Sequence, residues 1–585
     1  MKRGLLGLIL AVLGFASLAQ DKLPAGIPAS IQTRVESSPL RSWFLAPTRI
    51  VWQSEQGVKN ADRLLQKNPG QTVLKNVSPP CALTASTNQL AGVLLDFGVE
   101  IQGYVEIFTP MEGNRPPAPV RVRLGESVSE AMAETGEKNS QNDHAVRDQE
   151  DSLPWCGKKI VGPSGFRFVR IDAIDPKQPV SISEVRAVLQ LRDVPYVGAF
   201  RCSDERLNRI WKVGACTVHL NMQEYLWDGI KRDRLVWLGD MHPEVSTINA
   251  VFGFNEVVPR SLDLIRDITP PTEWMNGISS YSMWWVLIQE DLWMHHGDRA
   301  YLEAQRDYLA KLLHHLATFV GTNGSEQLDG MRFLDWPTFE NKAAVHEGLQ
   351  AMLTMTMESG ARLSAALGDE ATAKRCRDAA ANLRQHKPDS SGRKSPAALL
   401  ALAGARPAKE VAEKVLKVNG PSDLSTFYGF YVLQALAKSG DADAALDFIS
   451  AYWGGMLDYG ATTFWEDFDL AWTNNAARID ELVPPGKKDI HGDYGAHCYI
   501  GFRHSLCHGW ASGPTAWLSQ HVLGVTPLEP GFKRVRVVPQ LGRLRWAEGS
   551  YPTPLGPIKV RHERQADGSM KSDIQSPTGV IVERK

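Results

Sequence analysis

"CSDERLNRIWKVGACTVHLNMQEYLW", residues 202–227, is where the period of the sequence changes. Ser203 or Asp204 can cap a helix, and Leu207, Ile210, Trp211 and Val218 then fall at helical spacing. Upstream, from about residue 45 to 200, apolar and polar residues alternate instead, as in Leu94–Phe97, Gly103–Phe108, Val120–Leu124 and Phe166–Ile171. Gly, Pro and Asn punctuate these runs, which predicts half-buried antiparallel strands and hence a β-sandwich. Downstream, helical patterns continue to about residue 525, including 300–320, 345–367, 395–417, 425–439 and 441–453. The loops between them are rich in Gly, Pro and Trp, as in "DITPPTEWMNG" and "FLDWPTFEN". Helix hairpins repeated with aromatic loops predict an array closed into an (α/α) toroid. After Pro530 strands return at Val535–Val538, Leu544–Trp546, Ile558–Arg561 and Gly579–Glu583. A segment this short makes a small core, so it is expected to pack on the toroid.

With 585 residues, 43% of them hydrophobic, the chain has room for two or three domains. Its 64 basic and 66 acidic residues nearly cancel and form no basic stripe, which argues against nucleic acid as a partner. The balance gives no hint of an acidic substrate either. Lys2 and Arg3, the apolar run Leu5–Phe15 and the small-x-small triplet Ser17-Leu18-Ala19 read as a signal peptide over residues 1–19, cleaved near Ala19. That predicts a periplasmic or secreted protein. No later stretch offers the roughly 20 apolar residues of a membrane span. The seven cysteines are scattered without zinc spacing or a disulfide framework, which leaves room for one or two bridges at most; no metal site is assigned, and calcium in the sandwich stays open. Nothing in the sequence fixes the oligomeric state.

Two stretches gather chemistry. In "WDGIKRDRLVWLGDMHPE", residues 227–244, a helix from Arg232 onward would put Asp233, Trp237, Asp240 and Glu244 on one face. A solvated acidic face is the plain alternative. A Trp between carboxylates suits a sugar, which offers a C–H face for stacking and hydroxyls for the acids. In "YWGGMLDYGATTFWEDFD", residues 452–469, Glu466 and Asp467 follow Trp465 behind a Gly-Ala-Thr-Thr turn. Two distant carboxylate clusters are what cleavage at an anomeric carbon requires, with one acid and one base on opposite sides of the sugar.

"DGIKRDRLVWLGD", residues 228–240, resembles the Asp-x-x-x-Arg-Glu-x-x-x-Trp-x-Gly-Asp motif of the α-L-rhamnosidases of glycoside hydrolase family 78, and "YGATTFWEDF" resembles that family's Gly-Ala-Thr-Thr-x-Trp-Glu motif. "LLDFGVEIQGYVEI", "VRVRLGE", "GFRFVRI", "GAFRCSDERLNRIW", "DLWMHHGD", "LDWPTF" and "PGFKRVRVVP" follow the family's order from about residue 90 to 540. The resemblance implies a multidomain, mainly α protein: an N-terminal β-sandwich over 20–198, an (α/α)6 six-hairpin toroid over 199–526 that carries the active site, and a small C-terminal β domain over 527–585. It implies an inverting exo-glycosidase that needs no cofactor and removes terminal α-L-rhamnosyl residues from an oligosaccharide or glycan.

Carried over by position, the resemblance makes Asp233 the general acid and Glu466 the base that activates water. Asp228 and Asp240 would hold rhamnose hydroxyls, Arg232 would support the pocket, and Trp237 would stack. Trp285 and Trp336 match pocket aromatics, and His508, in "SLCHGWASG", matches a His near the base. Trp285 sits in "MWWVLIQEDLW", where helical spacing fits a core residue equally. The family's acid is a Glu, so Asp233 is shorter by one methylene, roughly 1.5 Å; Glu244 is a possible substitute acid. The segment "NNAARIDELVPPGKKDIHGDYG", residues 474–495, exceeds the family pattern and is expected to form a loop over the pocket. Other readings remain open. One is a toroid glycosidase or lyase for another deoxy or uronic sugar, the lyase wanting a Tyr or His base. The other is a non-catalytic carbohydrate-binding relic.

Overall fold

The computed structural model describes residues 38–73, 78–111, 116–388, 390–497 and 499–584. The signal-peptide segment and Cys498 lie outside them. Among the described residues no helix is long and apolar enough to cross a membrane.

The N-terminal region is a seven-stranded antiparallel sheet built on the long strands Ala91–Thr109 and Gly157–Ala173. A three-stranded sheet, Val58–Lys59, Cys81–Leu83 and Val180–Ile182, lies over it. Val93, Leu95, Val105, Val169 and Ile171 of one sheet and Leu83 and Ile182 of the other share one core. The residues alternating with them are largely buried as well: Leu94 and Phe168 pack with Val128 and Ala131 in a second cluster, so these strands are covered on both sides.

The toroid follows. Asp204 caps the helix Glu205–Asn221 by accepting from the Arg206 amide, so of the two candidate caps it is Asp204 that is used. Six helices, Leu238–Val251, Ser279–His296, Lys342–Leu367, Lys394–Leu402, Gly429–Ser439 and Gly513–Trp517, each touch the next, and the last touches the first. They form the inner wall of the ring and are buried along most of their lengths, as helices apolar all round must be. Helices such as Val257–Ile268 and Arg299–Ala317 form the outer layer and bury one face, through Val258, Leu262 and Ile265 in the first and Leu302, Leu309 and Leu313 in the second. The expected helix over 395–417 is broken at Gly404–Pro407, where proline cannot continue the hydrogen-bond ladder.

The C-terminal region is a four-stranded sheet that also recruits Ala199–Cys202, in the order Ala199–Cys202, Trp546–Tyr551, Ile558–Arg564 and Met570–Gln575. A second sheet joins Val525–Pro527, Arg534–Val537 and Ile581–Glu583. Met570–Gln575 carries no apolar alternation strong enough to have been expected. Both sheets share the toroid's core through Val535, Ala547, Tyr551 and Ile558.

The 474–495 segment departs from expectation. Its body docks the N-terminal domain onto the toroid instead of covering the pocket. Asp480 lies 3.6 Å from Arg167, whose Nη1 also donates to the Gly460 carbonyl. Asp489 accepts from Ser129 Oγ at 2.9 Å, Asp493 pairs with Lys138 at 2.8 Å, and His491 Nδ1 meets Ser127 Oγ at 2.7 Å. Three of the segment's aspartates, Asp480, Asp489 and Asp493, thus meet partners in the other domain.

Candidate active site

Contacts draw together the segments 226–237, 335–339, 425–428, 464–469, 496–497 and 499–512. The expected helix from Arg232 does not form: 228–237 is a loop, and the helix begins at Leu238. Asp228 explains this. Its two carboxylate oxygens accept from the Asp233 amide at 2.7 Å and the Leu235 amide at 3.0 Å, and Arg234 adopts a left-handed backbone, φ 65°, that a helix cannot contain. Gly229 bridges to His508, so the loop is stitched to the segment before the last inner helix.

Glu466 is buried, and backbone groups fix it. Its Oε2 accepts from the Ser505 amide at 2.9 Å. Its own amide donates to the Ser505 carbonyl, and its carbonyl accepts from Trp510 Nε1 at 2.9 Å and from the Thr426 hydroxyl. Burial pushes its carboxyl up to about 7 against the pull of His508, Arg232 and the Ser505 amide. His508 links the two sides of the site. Its Nε2 is 3.0 Å from Asp240 Oδ2, and its Nδ1 is 3.6 Å from Glu466 Oε1, a charge contact too long for a hydrogen bond. Asp240 also accepts from Tyr281, at 3.4 Å, and burial holds its carboxyl well above the usual range. Burial likewise raises Asp228 to about 7, with His508 opposing and Asp240 and Asp233 adding to the rise.

Asp233 is held differently. Its side chain is 13% exposed, and Oδ1 accepts from Arg232 Nη2 at 2.8 Å. The same oxygen is 3.3 Å from Nε2 of His144, a residue of the N-terminal domain. Arg232 is buried, donates to the Arg503 carbonyl, and lies 4.8 Å over the Tyr499 ring.

A pocket with about 330 Å³ of empty space opens beside Glu466. Trp336, Tyr499, Phe427 and Trp510 make an aromatic wall, and Asp335 and Asp467 line the same pocket. Asp335 N-caps the turn that presents Trp336 and is tied to Ser395 and Ser425. Burial pushes Asp467 up to about 6. Trp237 stands at the start of its helix, edge-on to Tyr281 at 6.1 Å.

Two sequence assignments are corrected. Trp285 has no exposed surface; its indole packs edge-on against Tyr308 and donates to the Leu262 carbonyl, so it belongs to the core. Glu244 is sealed under Gly509, where even a Cβ would collide with Oε1, and neither carboxylate oxygen finds a protein partner. Burial, with Asp240 and Asp228 nearby, holds it well above the usual carboxylate range. It therefore does not reach the pocket as a substitute acid.

Sequence reasoning missed His144, Tyr499 and Lys231. Lys231 is buried at the domain boundary, where its Nζ meets Glu126 and Glu130, each at 3.0 Å, and the carbonyls of Phe502 and His504. Glu126, Glu130 and His491 gather their ligand atoms as a cation site would, and the Lys231 ammonium supplies the positive charge. Glu126 in turn accepts from the Leu506 amide at 2.6 Å and from Ser505 Oγ at 3.2 Å. The brace thus runs from the residue two before Asp233 to the residue that holds Glu466. The only sequence signal was a lysine between two acidic motifs, which surface lysines give equally well.

Comparison with known proteins bears on this geometry. Residues 195–387 match the model of the bacterial alpha-L-rhamnosidase six-hairpin glycosidase domain, and residues 524–583 match that of the bacterial alpha-L-rhamnosidase C-terminal domain. An alpha-L-rhamnosidase of Alteromonas sp. (strain LOR) is 25% identical over 527 residues, 81% of this chain and 54% of that protein. The chain therefore spans about half the length of this curated relative. Among solved structures, the family 78 rhamnosidase of Bacillus sp. GL1 superposes with a TM-score of 0.71 at 22% identity, covering 90% of this chain and 55% of that one. A rhamnosidase from Klebsiella oxytoca with rhamnose bound gives 0.66 at 19%, covering 82% and 96%. These structural likenesses carry the fold. Two stretches of the chain, the front part of the toroid and the C-terminal β region, are thus similar to domains of the bacterial α-L-rhamnosidases.

Proposed function

We propose that this protein is an inverting exo-α-L-rhamnosidase acting on a rhamnose-capped oligosaccharide or glycan, and that its N-terminal leader exports it. The observation that carries the reading is the pairing of a buried carboxylate, raised to about 7 and facing an aromatic pocket, with a second carboxylate on the Arg232 side. Glu466 is suited to take a proton from water near neutral pH. Asp233 would protonate the leaving oxygen, and Arg232, which contacts Asp233 and interacts with the charge of Glu466, lies between the two. Water attacks the anomeric carbon on the face opposite the leaving group, so the configuration inverts. Trp336, in the aromatic wall, supports stacking on the sugar's C–H face.

The test is hydrolysis of p-nitrophenyl α-L-rhamnopyranoside followed by proton NMR. The expected first product is the β-anomer, with turnover lost in Glu466→Gln by roughly 10²- to 10⁴-fold. Absence of turnover by the wild type, on this substrate and on rhamnose-capped glycans, overturns the reading. Saturable rhamnose binding in that case would identify a binding relic.

A further inference from the structure

We propose that His144, carried by the N-terminal β domain, supplies the proton that Asp233 passes to the leaving oxygen. The inference rests on the assignment of Asp233 as the acid. An acid that surrenders its proton in every turnover must be reloaded before the next. Of the groups on its Oδ1, Arg232 is a permanent donor that does not release a proton at working pH. His144 Nε2 lies 3.3 Å from that oxygen, and imidazole is the side chain that ordinarily titrates near neutrality. Its side chain is 29% exposed, so the ring can exchange protons with solvent while Asp233 is covered by substrate.

The charged groups around the imidazole are consistent with this role. Its own segment contributes Asp143, whose Oδ2 is 3.8 Å from Nε2. The acid loop contributes Arg232 and Asp233, and the 501–503 turn contributes Arg503, paired with Asp143 at 3.2 Å. Burial disfavours the charge on Asp143, but Arg232, Arg503 and His144 outweigh it and hold the carboxyl below its usual range. Both carboxylates therefore approach the ring at the same nitrogen, Nε2, from which the proton would pass.

The step balances. The Nε2–H bond of His144 breaks as an O–H bond forms on Asp233, and the Asp233 proton passes to the glycosidic oxygen as its bond to the anomeric carbon breaks. Water adds to that carbon and gives its proton to Glu466. Glu466 returns a proton to solvent, and His144 takes one up.

The experiment uses the full chain and two substrates, p-nitrophenyl α-L-rhamnoside, whose leaving group needs little protonation, and a rhamnosyl disaccharide, whose leaving group needs it. His144→Gln keeps a donor to Asp233 but cannot deliver a proton. Its kcat is expected to fall on both substrates, at least tenfold more on the disaccharide, and the alkaline limb of the disaccharide pH profile should move. Imidazole in the buffer should restore His144→Ala on the disaccharide. Equal losses on the two substrates, or wild-type kcat on the disaccharide, overturn the proposal while leaving the rhamnosidase reading in place. If the wild type hydrolyses neither substrate, the acid assignment falls and this proposal falls with it.

Discussion

Glu466 is gripped by amides and carbonyls of its own domain, whereas Asp233 sits on a loop whose side-chain partners come partly from the N-terminal domain. Glu466 touches only its own domain, and the N-terminal domain reaches it at one remove, through Glu126 on Ser505 and Leu506. Asp233 meets the N-terminal domain directly, through His144. The proposed base is thus linked to domain assembly indirectly, and the proposed acid by contact.

Lys231 is where that contrast can be broken most severely. Removing one member of a buried ion pair leaves the others uncompensated, so Lys231→Met is expected to cost about 3–5 kcal/mol of stability, read by urea unfolding. In the fraction that folds, kcat on a disaccharide should fall further than on the p-nitrophenyl glycoside, because the acid loop loses its brace while Glu466 keeps its amide. An equal loss on both would mean that the two sides are held alike.

The base side makes its own prediction. As the proposed base Glu466 would act only when ionised, so kcat/KM should fall as pH drops through about 7 and level off above it. His508 is the strongest influence opposing the burial of Glu466. His508→Asn should therefore raise the carboxyl further and move the acid limb to higher pH. A limb that stays in place would assign it to a group that His508 does not influence, Asp467 being the next candidate because burial raises it to about 6.

The smallest effect belongs to the aromatic wall. Trp336→Ala should raise KM roughly five- to tenfold with kcat little changed. Trp285→Phe should leave KM alone and lower only stability, since that ring meets Tyr308 and no pocket atom.

How much of this could be read beforehand follows the same division. The toroid was legible because inner helices need apolar residues all round and outer ones need a stripe, and both periods survive in the letters. Glu466 was legible because a Gly-Ala-Thr-Thr-x-Trp-Glu turn is short and contiguous. The acid loop was misread as a helix because spacings of four and seven fit a helix face and a loop equally, and the deciding event, Asp228 taking the amides of Asp233 and Leu235, leaves no periodic trace. Trp285 and Trp284 are adjacent on a helix buried on most sides, so spacing could not separate wall from core. His144 and Lys231 were invisible because their partners lie in other domains or distant loops, and no motif joins them.

The docking segment at 474–495 carries a consequence for inheritance. Asp480, Asp489 and Asp493 are matched to Arg167, Ser129 and Lys138 across the boundary. A β domain exchanged by recombination without this segment would bring its cations to a surface with no carboxylates to receive them, and would leave His144 out of register with Asp233. The two pieces therefore form one unit of exchange although they are far apart in the chain. Natural or engineered shuffling that preserves leaving-group chemistry should move them together.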